Sequence, residues 1–189
     1  MLLEVPLNME NVDWGKLSHA LDFYRALGFK YHETDWLQTS SDLSITAPDQ
    51  DHIIMTNLNN LGLIGSSEQS FVRLALDGLP DSKYVSCSPC FRNEETRDHL
   101  HQRQFMKVEL FQTEYVTLYS LQLMVETALR FFNAYAPAVS VRTDEGYDIE
   151  VNGIEVGSYG IRQHRHVRWI YGTGCAEPRL SQAITANIS

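Results

Sequence analysis

Apolar residues recur at helical spacing in three parts of the chain. The first predicted helix begins after Asp13, a common helix-capping residue, and ends before Gly28, a common helix stop. Its apolar positions are Trp14, Leu17, Ala20, Leu21, Tyr24 and Leu27. A shorter helix is predicted after Ser66, and a long one within Glu114–Tyr135, where apolar residues fall three and four positions apart. The pattern therefore predicts helices that each bury one face.

Shorter apolar runs, bounded by turn residues, predict strands. Glycines at 146 and 153 mark turns between the later strands. The predicted strands are Phe29–Leu37, Leu61–Gly65, Ala138–Val141, Tyr147–Val151, Ile154–Tyr159 and Val167–Ile170. Most follow one another with short connections, which favours antiparallel pairing. We predict an α+β fold with an antiparallel sheet flanked by helices, and one domain over residues 1–189.

Charge and cysteine usage narrow the function classes. A formal net charge of −9 argues against a broad phosphate-binding surface, so a contact with nucleic acid would be local. No apolar run approaches the ~18 residues of a membrane span, which predicts no membrane partner. Three cysteines and no export signal predict reduced thiols and a cytoplasmic protein. The Cys87–Cys90 pair fits either strand positions or part of a zinc site.

Ionic and aromatic residues alternate around one predicted hairpin. Arg92 and Glu94 are two residues apart, so both project from the same face of an extended strand. A polar stretch at 95–100 has the composition of a hairpin loop, after which Phe105 returns over that face. By the same alternation Lys107 and Glu109 lie beside Phe105. The hairpin thus combines a cation, anions and an aromatic ring.

Two further segments carry candidate chemistry near the C-terminus. Gly172 and Gly174 belong to a small-residue strand that ends at Arg179, at the start of a predicted helix. Glu155 and Ser158 offer oxygen atoms on a predicted strand, although most such residues are simply solvated. Oxygen ligands of this kind suit magnesium held mainly by phosphate groups.

These segments resemble the motifs of class II aminoacyl-tRNA synthetases. Phe91-Arg92-x-Glu94, a loop, and His101 four residues before Phe105 are similar to motif 2, here about residues 84–110. The glycine strand and Arg179 resemble motif 3, about residues 167–187, and the first helix and strand resemble the dimer-forming motif 1, residues 14–37. The resemblance implies a synthetase or biotin ligase-like catalytic fold and leaves a homodimer through the N-terminal helix and strand open. The proline expected in motif 1 is absent.

The resemblance also implies an ATP site. It assigns Arg92 to the α-phosphate, His101 and Arg179 to the γ-phosphate, and Glu94 to the adenine amino group. Phe105 would stack on adenine. Gly172 and Gly174 would leave room for the nucleotide, and Glu155 with Ser158 would hold Mg²⁺.

Seryl-type enzymes give the nearest match for the amino-acid side. Residues 104–109 resemble their Gln-Phe-x-Lys-Val-Glu run, and residues 63–68 resemble their Leu-Ile-Pro-Thr-Ala-Glu loop. Glu68 would then bind the α-ammonium group of the amino acid, although a glutamate at a helix N-terminus is also a favourable dipole partner. Lys107, Glu109 and Gly157 would form the amino-acid pocket.

The reaction implied is formation of an aminoacyl-adenylate and pyrophosphate from an amino acid and ATP, followed by transfer to the acceptor end of tRNA. Two alternatives stay open. The chain could be an adenylate-forming ligase that charges a carrier protein or small molecule, or an inactive regulatory relative of these enzymes. Serine is the amino acid suggested by the resemblance.

Overall fold

The computed structural model describes residues 11–47, 50–93 and 102–186. A seven-stranded sheet is its largest element, with strand order β1-β5-β6-β10-β9-β8-β7, and a three-stranded sheet has the order β2-β4-β3. The large sheet is antiparallel except where β1 pairs with β5. The strands are β1 Lys30–Tyr31, β2 Leu37–Thr39, β3 Ile54–Met55, β4 Leu61–Leu63, β5 Lys83–Phe91, β6 Gln104–Gln112, β7 Ala138–Arg142, β8 Gly146–Val151, β9 Ile154–His164 and β10 Val167–Glu177.

Five α-helices accompany the strands in the described part of the chain: α1 Trp14–Ala26, α2 Ser40–Leu43, α3 Ser67–Leu76, α4 Leu118–Phe132 and α5 Arg179–Thr185. As predicted, Asp13 caps α1, and its side chain accepts from the Lys16 amide. The Thr117 side chain caps α4, which begins four residues later than the start of the predicted range. None of the described helices is long and apolar enough to cross a membrane.

The two faces of the large sheet are packed differently. Helices α1, α4 and α5 cover one face and share a hydrophobic core with it, including Tyr24, Phe131 and Leu180. On the other face a second cluster joins Phe71 of α3 to Phe111 and Trp169 of the sheet. Strand alternation explains the division, since neighbouring residues of β6 and β10 point to opposite faces. The second face leaves part of the sheet uncovered beside α3.

Three predicted strands differ clearly from the observed ones. The segment Phe29–Leu37 is not one strand: only Lys30–Tyr31 pairs with β5, and the chain then leaves the sheet. Polar contacts draw this segment towards α3, because the hydroxyl of Thr34 donates to Ser67 and the Asp35 carbonyl accepts from Ser70. Strands β9 and β10 are longer than predicted, at eleven residues each.

Strand β10 contains a β-bulge within its pairing with β6. Thr173 lies opposite Glu109 and Cys175 lies opposite the adjacent Val108, so one extra residue is accommodated on β10. The carbonyl of Gly174 accepts from the buried hydroxyl of Tyr24, at 3.1 Å. Beyond the bulge the strand continues to Glu177 and passes directly into α5.

Candidate active site

A cavity of about 840 Å³ lies on the uncovered face of the large sheet, next to the N-terminus of α3. This volume is within the usual range for sites that hold small molecules. Eight of the residues predicted from the sequence line it: Glu68, Arg92, Phe105, Lys107, Glu155, Gly157, Ser158 and Arg179. Residues 92 and 179 are far apart in the chain, and the adjacency of β6, β10 and β9 brings their segments to one cavity.

One end of the cavity floor is built from buried polar groups at the start of α3. Ser66 caps this helix in a capping box with Gln69. The Ser66 hydroxyl also donates to Oε2 of Glu109. The same oxygen forms an ion pair with Lys107 Nζ, at 2.8 Å. Glu109 is fully buried and does not line the cavity, so it acts on the site through Ser66 and Lys107. Its Oε1 has no hydrogen-bond partner among the described residues.

Glu68 sits beside this network with both carboxylate oxygens already engaged. Oε1 accepts from the indole N–H of Trp169 at 2.7 Å, and Oε2 accepts from Arg162 Nη1 at 2.8 Å. Burial raises the pKa of Glu68, and the Arg162 charge opposes that rise. The predicted contact between Glu68 and an α-ammonium group stays a prediction, and it would have to use the remaining lone pairs of these oxygens.

Arg92 and Phe105 meet at the other end of the cavity. The Arg92 N–H donates to the Arg103 carbonyl at 2.9 Å, which extends the β5–β6 pairing by one residue. The Arg92 side chain is exposed and its guanidinium carbon lies 5.2 Å from the centre of the Phe105 ring. This is a cation–π contact. Glu94 and His101, the other predicted ligands of ATP in this motif, lie outside the described residues.

Arg179 opens α5 on the opposite wall. Its Nη1 donates to the Glu155 backbone carbonyl at 3.4 Å and is 3.9 Å from the carboxylate of the same residue. Ser158 and Gly157 follow Glu155 along β9 and also line the cavity. A Cβ added at Gly157 would lie 2.8 Å from the buried Tyr159 hydroxyl and 3.1 Å from Cβ of Thr173, so a side chain there would clash with both residues. Arg179 and Glu155, one of the two predicted metal ligands, are therefore neighbours.

Gly172 and Gly174, predicted to leave room for the nucleotide, lie in β10, and that role stays a prediction. Neither residue lines the cavity, and both have their open side towards the core under the helices. A Cβ at Gly172 would lie 2.5 Å from the Tyr159 ring, and one at Gly174 would lie 2.8 Å from the Tyr24 ring. These glycines are required by close packing of two tyrosine rings, and Thr173 and Ala176 line the cavity instead.

Sequence reasoning missed several cavity residues, of which Arg162 and Tyr171 are the most important. The Arg162 guanidinium lies over the Tyr171 ring, 4.1 Å from its centre. Both residues fall beyond the predicted ends of their strands, which stopped at Tyr159 and Ile170. The available signal was alternation: Tyr171 is two residues after Trp169 and shares its face.

Comparison with known proteins agrees with this arrangement. The family model for the class II core domain of tRNA synthetases (F) matches residues 65–187. The chain belongs to the class II aminoacyl-tRNA synthetase core family, as the motifs indicated. No curated protein sequence matches the chain.

Two solved structures share the fold. Seryl-tRNA synthetase from Pyrococcus horikoshii, complexed with ATP, superposes with a TM-score of 0.74 at 22% identity, covering 89% of this chain and 48% of that one. Pyrrolysyl-tRNA synthetase from Desulfitobacterium hafniense gives 0.68 at 16% identity, covering 89% of this chain and 67% of that one. The chain thus spans about half the length of the seryl enzyme. The predicted α+β class II catalytic fold is confirmed.

Proposed function

We propose that this chain activates an amino acid with ATP, giving an aminoacyl-adenylate and pyrophosphate. The observation that carries the proposal is the single cavity that holds Arg92, Phe105, Glu155 and Arg179 together above a buried polar floor. Membership of the class II core family supports an ATP-dependent reaction of this kind, and the seryl neighbour was solved with ATP.

Adenylate formation depends on positioning the reactants and does not require proton transfer to a general base. The attacking group is the carboxylate of the amino acid, which is ionised at neutral pH and needs no general base. It would bond to the α-phosphorus while the bond from that phosphorus to the pyrophosphate oxygen breaks. Arg92 and Arg179, on opposite walls, would stabilise the charge on the phosphates as it shifts to pyrophosphate. Phe105 would stack on the adenine ring.

Glu155 and Ser158 fit a magnesium ion that accompanies ATP. One carboxylate and one hydroxyl line the cavity beside Arg179, and Mg²⁺ in nucleotide sites takes one or two protein oxygens and completes its shell with phosphate and water. Bound there, magnesium would neutralise phosphate charge. Arg179 already lies against Glu155, so these two side chains would adjust together when the nucleotide binds.

The floor beside α3 is the amino-acid end in this proposal. Glu68 would bind the α-ammonium group, and Lys107, Glu109 and Gly157 would shape the surroundings of the bound amino acid. Glu109 is covered by Ser66 and Lys107, so its part is to hold those two side chains. The buried ion pairs fix this floor before any substrate arrives.

The acceptor of the activated amino acid is proposed to be tRNA, with a carrier protein as the alternative.

We also infer one catalytic domain over residues 1–189, a cytoplasmic location and a homodimer contact through α1 and the segment after it. Exposed Trp14, Tyr31 and Trp36 support such a contact, since large apolar side chains are favoured at interfaces. Light scattering of the purified chain tests the dimer.

Pyrophosphate exchange tests the proposal directly. Radiolabelled pyrophosphate should enter ATP in the presence of magnesium and one of the twenty standard amino acids, supplied one at a time. Arg92→Ala should lower the signal by roughly 10²- to 10³-fold, whereas Arg130→Ala, on α4 and outside the cavity, should keep it. Exchange at the wild-type rate in Arg92→Ala, or silence with every amino acid from a chain that still binds ATP, would overturn the proposal.

A further inference from the structure

We propose that Arg162 binds the side-chain carboxylate of the amino acid, so that the substrate is an acidic amino acid. The inference rests on the proposed function and names its substrate class. It differs from serine, the amino acid that the motif resemblance suggested. Its basis is the position of one guanidinium group on the cavity wall.

Contacts on two sides fix the orientation of Arg162. Tyr171 supports the face of the guanidinium at 4.1 Å, and Glu68 accepts from Nη1 at 2.8 Å. The side chain is two-thirds buried and still lines the cavity. A guanidinium presents its N–H groups in a rigid planar fork, so holding Nη1 and the ring plane also sets the direction of Nη2. Arg162 is therefore preorganised to receive a second anion.

A carboxylate already lies near that second position. Oε2 of Glu145 is 3.6 Å from Arg162 Nη2, beyond hydrogen-bond distance, and the Glu145 side chain is 78% exposed. Glu145 lies in the turn between β7 and β8. Ion pairs this exposed contribute little, so a ligand carboxylate displaces Glu145 at small cost and gains shorter, charge-assisted hydrogen bonds. Glu145 shows that a carboxylate fits against Nη2.

The lysine and the other two arginines of the cavity contact other side chains. Among the described residues that line it, the remaining lysine and arginines are Lys107, Arg92 and Arg179. Lys107 is held by the buried Glu109. Arg92 lies over Phe105 and Arg179 lies against Glu155, at the proposed nucleotide end. Arg162 is thus the cation placed beside Glu68 at the amino-acid end. An apolar side chain there would leave guanidinium N–H groups unpaired.

The test compares acids with their amides in pyrophosphate exchange. Aspartate, asparagine, glutamate, glutamine and serine are assayed with the wild type and with Arg162→Gln. Arg168→Gln is the matched control, because Arg168 is exposed on β10 and outside the cavity. The wild type should prefer one acid over its amide by about 100-fold. Arg162→Gln should lower kcat/KM for the acid by roughly 30-fold or more and change the amide by only a few-fold.

A positioning role for Arg162 gives a different pattern. If the arginine only holds Glu68, Arg162→Gln reduces kcat/KM for the acid and the amide equally, and the proposal is overturned. Preference of the wild type for serine or another non-acidic amino acid also overturns it, while leaving adenylation intact. Arg162→Lys, which keeps the charge beside Glu68, replaces the glutamine variant if that variant does not fold, and should still lose most of the preference for the acid.

Glu145→Gln adds an independent readout. Removing the competing carboxylate should lower KM for the acid by a few-fold, and a raised KM would count against displacement of Glu145 by the substrate. If no amino acid supports exchange, the proposed function fails, and calorimetry with aspartate and glutamate decides the inference alone. Binding of one acid that Arg162→Gln abolishes would support the inference, and absence of binding would overturn it.

Discussion

The two ends of the cavity differ in how their functional side chains are held. At the proposed amino-acid end Ser66, Glu68 and Glu109 are buried. Ser66 donates to Glu109, and an arginine donates to Glu68. At the proposed nucleotide end Arg92 is exposed and its guanidinium lies over the Phe105 ring. Buried ionic groups are costly to disturb, whereas exposed ones are nearly free to change. Substitutions at the floor should therefore lower both the stability of the fold and the activity, whereas substitutions at the proposed nucleotide end should lower the activity alone.

The largest effect is expected at the Glu109–Lys107 pair. Glu109→Leu leaves the Lys107 ammonium, which is only 12% exposed, without its carboxylate and leaves Ser66 without its acceptor. Loss of one partner of a buried ion pair costs about 3–5 kcal/mol. We expect the free energy of unfolding in urea to fall by that amount.

The double variant Lys107→Met, Glu109→Leu is the control for this interpretation. It removes both charges together, so it should be more stable than either single variant. Equal or greater loss in the double variant would mean that packing, rather than the unpaired charge, sets the cost at the floor.

Arg92→Ala should have the opposite profile. Loss of one preorganised charge donor lowers the rate of adenylate formation by roughly 10²- to 10³-fold. Because the side chain is exposed, the free energy of unfolding should change by no more than about 0.5 kcal/mol. Exchange kinetics and urea unfolding of the same preparation measure the two quantities, and a loss of stability above 2 kcal/mol would break the contrast between the two ends.

The thiol of Cys90 gives a further test of this contrast, because it is buried beside Phe105 at the proposed nucleotide end. Cys90 is opposite Phe105 in the β5–β6 pair and is fully buried, and burial raises its pKa to about 11 from a reference value of 9.0. A raised pKa stabilises the fold while the thiol is protonated, so this contribution is complete below pH ~9 and is lost as the pH rises towards 11. Alkylation of Cys90 in the folded chain should be about 100-fold slower at pH 8 than in urea. Equal rates would show that the sheet beside Phe105 is open to solvent.

Gly174→Ala should have the smallest effect on the site. The new methyl group would lie 2.8 Å from the Tyr24 ring, on the core face of the sheet, and overpacking of this kind costs typically 1–3 kcal/mol. The KM for ATP should stay within a few-fold of the wild type, because the residue does not line the cavity. A rise of tenfold or more in this KM, without loss of stability, would support the view that this glycine makes room for the nucleotide.

Local patterns predicted the elements, and pairing over long distances decided the details that were missed. The α1 helix and its Asp13 cap depend on neighbouring residues, so the sequence suffices. The strand predicted at Phe29–Leu37 is interrupted because Thr34 and Asp35 bond to α3, more than thirty residues away. No periodicity in the segment itself carries that information.

The same distinction applies to the site. Arg92, Phe105, Glu155, Ser158 and Arg179 were predicted to share one site, and the cavity does bring them together. The partners of Glu68, by contrast, are 94 and 101 residues away, and nothing near Glu68 in the chain indicates them. The catalytic roles of the five residues named first stay predictions, and the exchange assay tests them.

The bulge in β10 has a geometric consequence for the site. Gly174 and Cys175 both face the helices, so Thr173 and Ala176 keep facing the cavity although they are three residues apart. The bulge therefore absorbs the extra residue: Cys175 still lies one pairing step beyond Thr173, and the side chains after it are not inverted. A chain shortened by deleting Gly174 would keep every residue on its proper side and every pairing with β6, and it would lose only the carbonyl that accepts from the Tyr24 hydroxyl.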